Sequence, residues 1–310
     1  MGEHLSRREF IKKSAGAAIG LGTLLPSWFQ AFAQEERATT LVQVKGPVVA
    51  AVRKAVDLLG GMSAFVQKDQ RVLLKPNASF GSPPEWGATT SAQVVKTVAE
   101  MCLEVGARKV IIFDHPLQSP AICLKQTRLK EACSDLDGVT VVLSDRQRFF
   151  EQVTVPDGSA LSQVEVAKEV LKADVIINLP TAKSHSATGV SLGMKNLMGL
   201  IWDRGHFHQA TDLHQAIAEL STVIRPNLTL VDATRALVTG GPRGPGKILD
   251  LNAIVAGLDP VAVDAHVIQM TPWQNRSLTG KQVAHISAAH DLGLGKIDLE
   301  QVQLTEVELG

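Results

Sequence analysis

Cysteine is scarce in this sequence. Cys102, Cys123 and Cys133 are too few and too widely spaced for an iron–sulfur cluster or a zinc knuckle, so no iron–sulfur cofactor is expected. An oxidising compartment would allow one disulfide, with Cys123 and Cys133 the nearest pair, and the odd count leaves a thiol free. Two of the three fall in apolar helical patterns, where buried reduced cysteine is the usual state. Net charge is missing as well. The 31 Lys and Arg balance the 31 Asp and Glu, so nothing global points to nucleic acid or an anionic membrane. There is no long apolar run. The most apolar stretch, Ser14 to Leu25, is too short and too glycine-rich for a stable span, and the mature form is not expected to cross a membrane. Linkers and internal repeats are absent too, and no Ser-His-Asp or Cys-His signature stands out.

What is present begins with an address. Residues 6–12 read Ser-Arg-Arg-Glu-Phe-Ile-Lys, the apolar run follows, and Ala31-Phe-Ala33 supplies small residues that a signal peptidase accepts. Residues 1–33 therefore read as a twin-arginine signal peptide. They imply a periplasmic or otherwise exported protein that meets the twin-arginine export machinery; a retained anchor is the alternative. Residues 34–310 are left as one α/β domain, slightly acidic at 27 Lys and Arg against 29 Asp and Glu. At 45% hydrophobic and 20% charged over the full chain, the composition suits a globular protein with a large core. The export route carries folded proteins, and a cofactor loaded in the cytoplasm is one common reason for it.

Strand-like and helix-like runs alternate from Leu41 to Val307. Strands are expected at 41–44, 71–74, 109–113, 139–143, 175–177, 227–231, 248–255 and 302–307. Helices are expected at 47–59, 91–105, 120–133, 164–172, 211–224, 260–270 and 280–290, with Ser91 and Asp259 as caps and Pro260 at a first helical position. Continuous apolar strands separated by helices predict a mostly parallel sheet with helices on both faces, a doubly wound-like α/β fold.

The polar residues cluster at strand ends. Lys75-Pro-Asn77 follows the second strand, Asp114-His115 the third, Asn178 the fifth, and Asp232 the sixth. In open α/β sheets the ligand crevice lies at the carboxyl ends of the strands. Beyond Asn178, Lys183, His185, Lys195 and Asn196 fall within a short glycine-rich stretch with few carboxylates to pair with. So many cations together suit an enclosed anion, or a metal with an anionic ligand; the alternative is a solvated loop. Lys75, Asn77, Asn178, Lys195 and Asn196 are the expected ligand-binding groups, and Lys183, His185 and His208 the candidates for acid–base work. A divalent metal is a further possibility, with Asp114, Asp232, Asp264 and His206 as ligands. Against it, the His206-x-His208 pair lies in a predicted loop with no second pair at ligand spacing. Asp264, one turn inside an apolar helix, needs a partner, and a clustered lysine would serve. His214 reads as a surface or packing residue of its helix. Gly241 to Lys247 has P-loop spacing, but Ile248 replaces the Ser/Thr, two prolines remove donors and a strand follows, which excludes an NTPase. A lid carrying Arg243 or Lys247, or a plain surface loop, remains.

Lys75-Pro-Asn77, Asn178-x-Pro-x-x-Lys183-x-His185, Met194-Lys-Asn-Leu-Met-Gly199, His208 ahead of a helix, the Asp232 strand end and Asp259-Pro-Val-Ala-Val-Asp264 together resemble the domain of unknown function 362 family. The resemblance spans most of residues 40–295. It implies an α/β fold and no established reaction. Some relatives carry ferredoxin-type modules beside this domain, which three cysteines cannot build. Three functions are in view: an exported enzyme acting on a small anionic substrate by proton transfer or metal-assisted chemistry, a periplasmic metal or cofactor binding and delivery protein, and a non-catalytic partner of an exported redox complex.

Overall fold

Residues 39–209 and 212–310 are described by the computed structural model of this protein. The signal peptide expected at residues 1–33 lies outside them. In chain order the elements begin with β1 (Thr39–Lys45), α1 (Val48–Leu58), β2 (Arg71–Pro76), α2 (Ala92–Glu104) and β3 (Lys109–Asp114). Next come α3 (Pro120–Thr127), α4 (Leu129–Ala132), β4 (Val139–Leu143), β5 (Phe150–Thr154), β6 (Gln163–Ala167) and α5 (Lys168–Lys172). The middle holds β7 (Val175–Leu179), β8 (Thr181–His185), β9 (Gly189–Ser191), α6 (Gly193–Asn196), α7 (Arg204–Gln209) and α8 (Leu213–Val223). The chain closes with β10 (Leu228–Leu237), β11 (Ile248–Leu249), β12 (Ala253–Gly257), α9 (Pro260–Gln269), α10 (Ala284–Asp291) and β13 (Val302–Glu308).

Among the described residues the main sheet has eleven strands, with the path β13-β1-β12-β10-β7-β2-β3-β4. From β10 to β4 all pairs are parallel, whereas β12 runs antiparallel to both β1 and β10. The sheet is thus mostly parallel. Its strands alternate between two cores, as a period of two demands. Leu73, Ile111, Ile176, Val231 and Val255 pack on one face with α8, α9, α10 and the β5–β6 hairpin. Val72, Leu74, Val110, Ile112, Val175 and Ile177 pack on the other with α1 and α2. Each fully buried Val, Leu or Ile contributes roughly 1.5–3 kcal/mol, so the register of the sheet is strongly specified.

Several local expectations change. Residues 164–172 were expected to be helical, yet 163–167 form β6. Val164 and Val166 point inward while Glu165 alternates out, and β5 supplies a hairpin partner. The expected helix over 120–133 breaks where Arg128 takes φ 55°. The run 248–255 splits into β11 and β12 around Asn252 at φ 49°, and both pieces pair with β10. The stretch after Asn178, for which a solvated loop was the alternative, forms the β8–β9 hairpin followed by α6. Ser91 heads α2, but its hydroxyl makes no cap, whereas Asp259 accepts from the Val261 and Ala262 amides as an N-cap should. The Cys123–Cys133 disulfide is not formed: all three thiols are free and buried. Gly241 to Lys247 forms a surface loop with Arg243 and Lys247 exposed.

Candidate functional site

Register places the first two groups. In the parallel β2–β7 pair Leu74 lies opposite Ile177 and Lys75 opposite Asn178. Leu73 and Ile176 face the α8–α10 side, so Lys75 and Asn178, two residues on, continue on that face at the strand ends. The short helix α6 closes over them. Asp264 fixes its start by accepting from the amides of Gly193 at 2.7 Å and Met194 at 3.0 Å. Asn178 Nδ2 donates to the Gly193 carbonyl at 2.9 Å.

Asn196, at the end of α6, is the hub. Its Nδ2 donates to the Lys75 carbonyl (3.0 Å) and to Asn178 Oδ1 (2.9 Å). Its Oδ1 accepts from Lys75 Nζ (3.2 Å) and Asn77 Nδ2 (3.1 Å). Asn77 Oδ1 in turn accepts from Lys183 Nζ at 3.0 Å. Lys183 also donates to the Ala88 carbonyl at 2.6 Å, and its ammonium lies 5.0 Å from the Phe80 ring centroid. Lys75 Nζ bonds the Pro76 carbonyl at 2.5 Å and pairs with Asp114 Oδ1 at 3.1 Å. That carboxylate oxygen has no other partner among the described residues, so Lys75 is what compensates its charge. Asp114 Oδ2 accepts from the Ala78 amide (2.6 Å) and Ser79 Oγ (3.4 Å). Gly199 lies against this pair: a Cβ there would stand 2.0 Å from Asp114 Oδ1 and 2.7 Å from Lys75 Nζ.

Charge is out of balance. Lys75 is 0% exposed, Lys183 1% and Lys195 7%, and Arg204 on α7 joins them, with Asp114 the carboxylate that acts on Lys75, Lys183 and Arg204. Burial pushes all four cations down from their ordinary pKa values, opposed by Asp114 for Lys75, Lys183 and Arg204. Lys183, beside Lys195 and Lys75, falls to about 7. Lys195, beside Arg204, falls to about 8. The Lys195 ammonium has Met198 Sδ at 3.5 Å and no oxygen acceptor among the described residues. Arg204 Nη2 donates to the Pro116 carbonyl at 3.0 Å. His115, held neutral by burial and by Arg204, is fixed by Nδ1 against the Ile201 carbonyl at 2.8 Å and stacks on Trp202 at 5.0 Å. Asp203 and Gly205, on either side of Arg204, are exposed, and Trp202 is half-buried. Lysines poised near neutral pH can bind an anion when charged and accept a proton when neutral.

Hydrogen bonds therefore join Lys75, Asn77, Asn178, Lys183 and Asn196 directly, with Asp114 paired to Lys75. Asp232 borders them, accepting from the amides of Ser91 (2.8 Å) and Thr234 (3.1 Å). His185 stands at the tip of the β8–β9 hairpin, partly exposed, with Nδ1 accepting from the Ala187 amide at 3.1 Å. Of the residues expected to hold a metal, Asp114, Asp232 and Asp264 are each engaged by different backbone amides. Among the described residues no three His, Cys, Asp or Glu gather at ligand range. The partner of Asp264 is backbone, not a lysine. Its burial raises its pKa to about 7 against the pull of the two amides. The backbone of His206 and His208 lies in α7 rather than a loop, and their side chains lie outside the described residues. Sequence reasoning missed Arg204, although Trp202 to His208 had stood out for its histidines. It also gave no role to His115, which the end of β3 delivers.

Residues 72–269 match the family described as domain of unknown function (DUF362). The chain belongs to that family. The DUF362 segment contains every member of the cluster from Lys75 to Asp264, while α10 lies beyond it. Thylakoid-associated protein sll1697 of Synechocystis sp. is 28% identical over 237 residues, which are 73% of this chain and 72% of that protein. Among solved structures, the lactate racemase apoprotein of Thermoanaerobacterium thermosaccharolyticum is similar over 82% of this chain, at 12% identity and a TM-score of 0.47. This chain spans 57% of that racemase's length. Among the described residues no helix is long and apolar enough to cross a membrane.

Proposed function

We propose that this DUF362 protein binds a small anionic ligand in the Lys75–Asn77–Lys183–Lys195–Asn196 cluster, as an exported enzyme of proton-transfer chemistry. The observation that carries the reading is the buried Lys195 ammonium, which among the described residues lacks an oxygen acceptor and lies in a cluster of four cations where Asp114 opposes Lys75, Lys183 and Arg204. An anion there offsets desolvation that the protein otherwise relieves by shedding protons. Lys75, Lys183 and Lys195 hold the charge, Asn77 orients the ligand with its second Nδ2 hydrogen while Asn196 holds Asn77 and Lys75 in place, and Lys183, with a pKa of about 7, moves the proton. Phosphate, sulfate and acetate added to the full chain should raise its melting temperature. A ligand at a hundred times its Kd stabilises by roughly 2.7 kcal/mol. Lys195→Met should raise the melting temperature of the empty protein and abolish the ligand response. No response to any anion, or an undiminished response in Lys195→Met, would refute the reading.

One observation favours a second, non-catalytic reading. Lys75, Asn178 and Asn196 already satisfy one another, as a core network would. On that reading Lys183→Met impairs folding or assembly alone, and the wild-type protein shows no anion response. Export rests on Arg7 and Arg8: their replacement by lysine should hold the chain in the cytoplasm, and continued export of that variant would count against it.

A further inference from the structure

The helix α6 that carries Lys195 packs on α8, and α8 packs on α10. His285 on α10 is 0% exposed, and neither ring nitrogen has a hydrogen-bond partner among the described residues. His214 on α8 stacks on it, ring centroids 5.8 Å apart and planes 16° from parallel, with its own buried Nδ1 also unpartnered. Three buried nitrogens without partners are exceptional, because buried polar atoms are nearly always bonded. Burial, and after it His214 and the Lys195 ammonium within electrostatic reach, drive His285 to its neutral form at a pKa of about 3. A neutral imidazole presents one donor and one acceptor. A divalent metal is disfavoured there by the neighbouring lysine and by the lack of a third ligand among the described residues. The charge count agrees with a more anionic guest: Lys75, Lys183, Lys195 and Arg204 against Asp114 suit two negative charges better than one.

We propose that Lys195, His214 and His285 form a second wall of the anion site, and that the ligand is a small dianion with two separated acidic groups, such as a dicarboxylate. One group rests on the lysines and amides around Asn77 and Asn196. The other is held by Lys195 and takes a hydrogen bond from His285. This rests on the anion-binding reading above and extends it to the class of ligand.

The test is calorimetric titration of the full chain with acetate, inorganic phosphate and succinate, repeated on His285→Leu and His285→Gln. Succinate should bind at least tenfold more tightly than acetate. His285→Leu should weaken succinate about tenfold and acetate less than threefold, while His285→Gln, which keeps a donor and an acceptor, should recover part of the loss. Because His285→Leu alters a buried site, ring-nitrogen NMR of histidine-labelled wild-type protein gives a second readout: succinate should shift the His285 and His214 signals, and acetate should not. Succinate and acetate binding equally, or succinate affinity unchanged in His285→Leu with silent His285 signals, would overturn the second wall and leave the anion reading standing. Binding of none of the three by wild type would overturn both.

Discussion

Buried lysines that shed their protons near neutrality make stability depend on pH with a defined sign. Lys183 titrates at about 7 and Lys195 at about 8 in the fold, against roughly 10.4 for a lysine in an unfolded chain. Between those values the unfolded chain holds protons that the empty native protein has lost, so stability rises with pH. The slope is at most about 1.4 kcal/mol per pH unit for each lysine, and below pH 7 the full penalty of charging Lys183 is present. Buried cysteines act oppositely: their thiols are pushed up, so above about pH 8.5 they reduce stability as the unfolded chain ionises. The clean window is therefore pH 7 to 8.5, and the lysine contribution is the difference between wild type and Lys183→Met. An anion that binds the ammonium form reverses the trend by restoring the proton. Its affinity should fall about tenfold per pH unit for each proton taken up once the pH exceeds 7. Differential scanning calorimetry from pH 6 to 8.5, with and without phosphate, measures the slope, and titration in buffers of different ionisation enthalpy counts the protons. Parallel pH profiles for wild type and Lys183→Met, together with binding that takes up no proton, would refute the assignment of these titrations to the cluster.

The acid limb of the same profile tests Asp264. Its raised pKa keeps it protonated in the fold, so its contribution is present below about pH 4 and is lost as pH rises through 7; wild type should lose stability across that range and Asp264→Asn should lose less. Lys75→Met leaves Asp114 buried without its ion pair and should cost about 3–5 kcal/mol, with much of it recovered in Lys75→Met/Asp114→Leu; chemical denaturation measures both, and a single variant as stable as wild type would contradict the pairing. Gly199→Ala drives a methyl into Asp114 and Lys75, so it should weaken anion binding and lower the melting temperature, and a neutral outcome in both would show that the pair has room to move.

Much of the fold was legible because apolar strands buried on both faces leave a plain signal: Val72-Leu-Leu74 and Val175-Ile-Ile177 lie side by side where alternation placed them. The polar cluster was legible for the same reason. Lys75, Asn77, Asn178 and Asp114 are the first polar residues after buried strands, and strands in one sheet end at a common edge. What the sequence hid depends on tertiary partners. Asp264 finds its partners in the main chain of α6, and amides carry no residue signature. Arg204 belongs to a short helix whose histidines drew attention away from it. His285 lies in a helix of ordinary composition, and only the packing of α10 on α8 makes it a buried, unpartnered group. The β5–β6 hairpin was missed because Val164, Ala167 and Leu171 also fit a helical period, and the distant Phe150 to Thr154 decides between them.

The alignment of Lys75 with Asn178 is a by-product of the alignment of Leu74 with Ile177. Chemistry and packing thus share one ruler. A slip of a single residue between these two strands would bury the lysine among the side chains of the opposite layer and turn leucine toward the polar end. Accordingly the cluster cannot be retuned by sliding its strands; change must come from what is laid over them, α6, α7 and α10, and variation of ligand preference within such a scaffold is to be sought in those covering pieces.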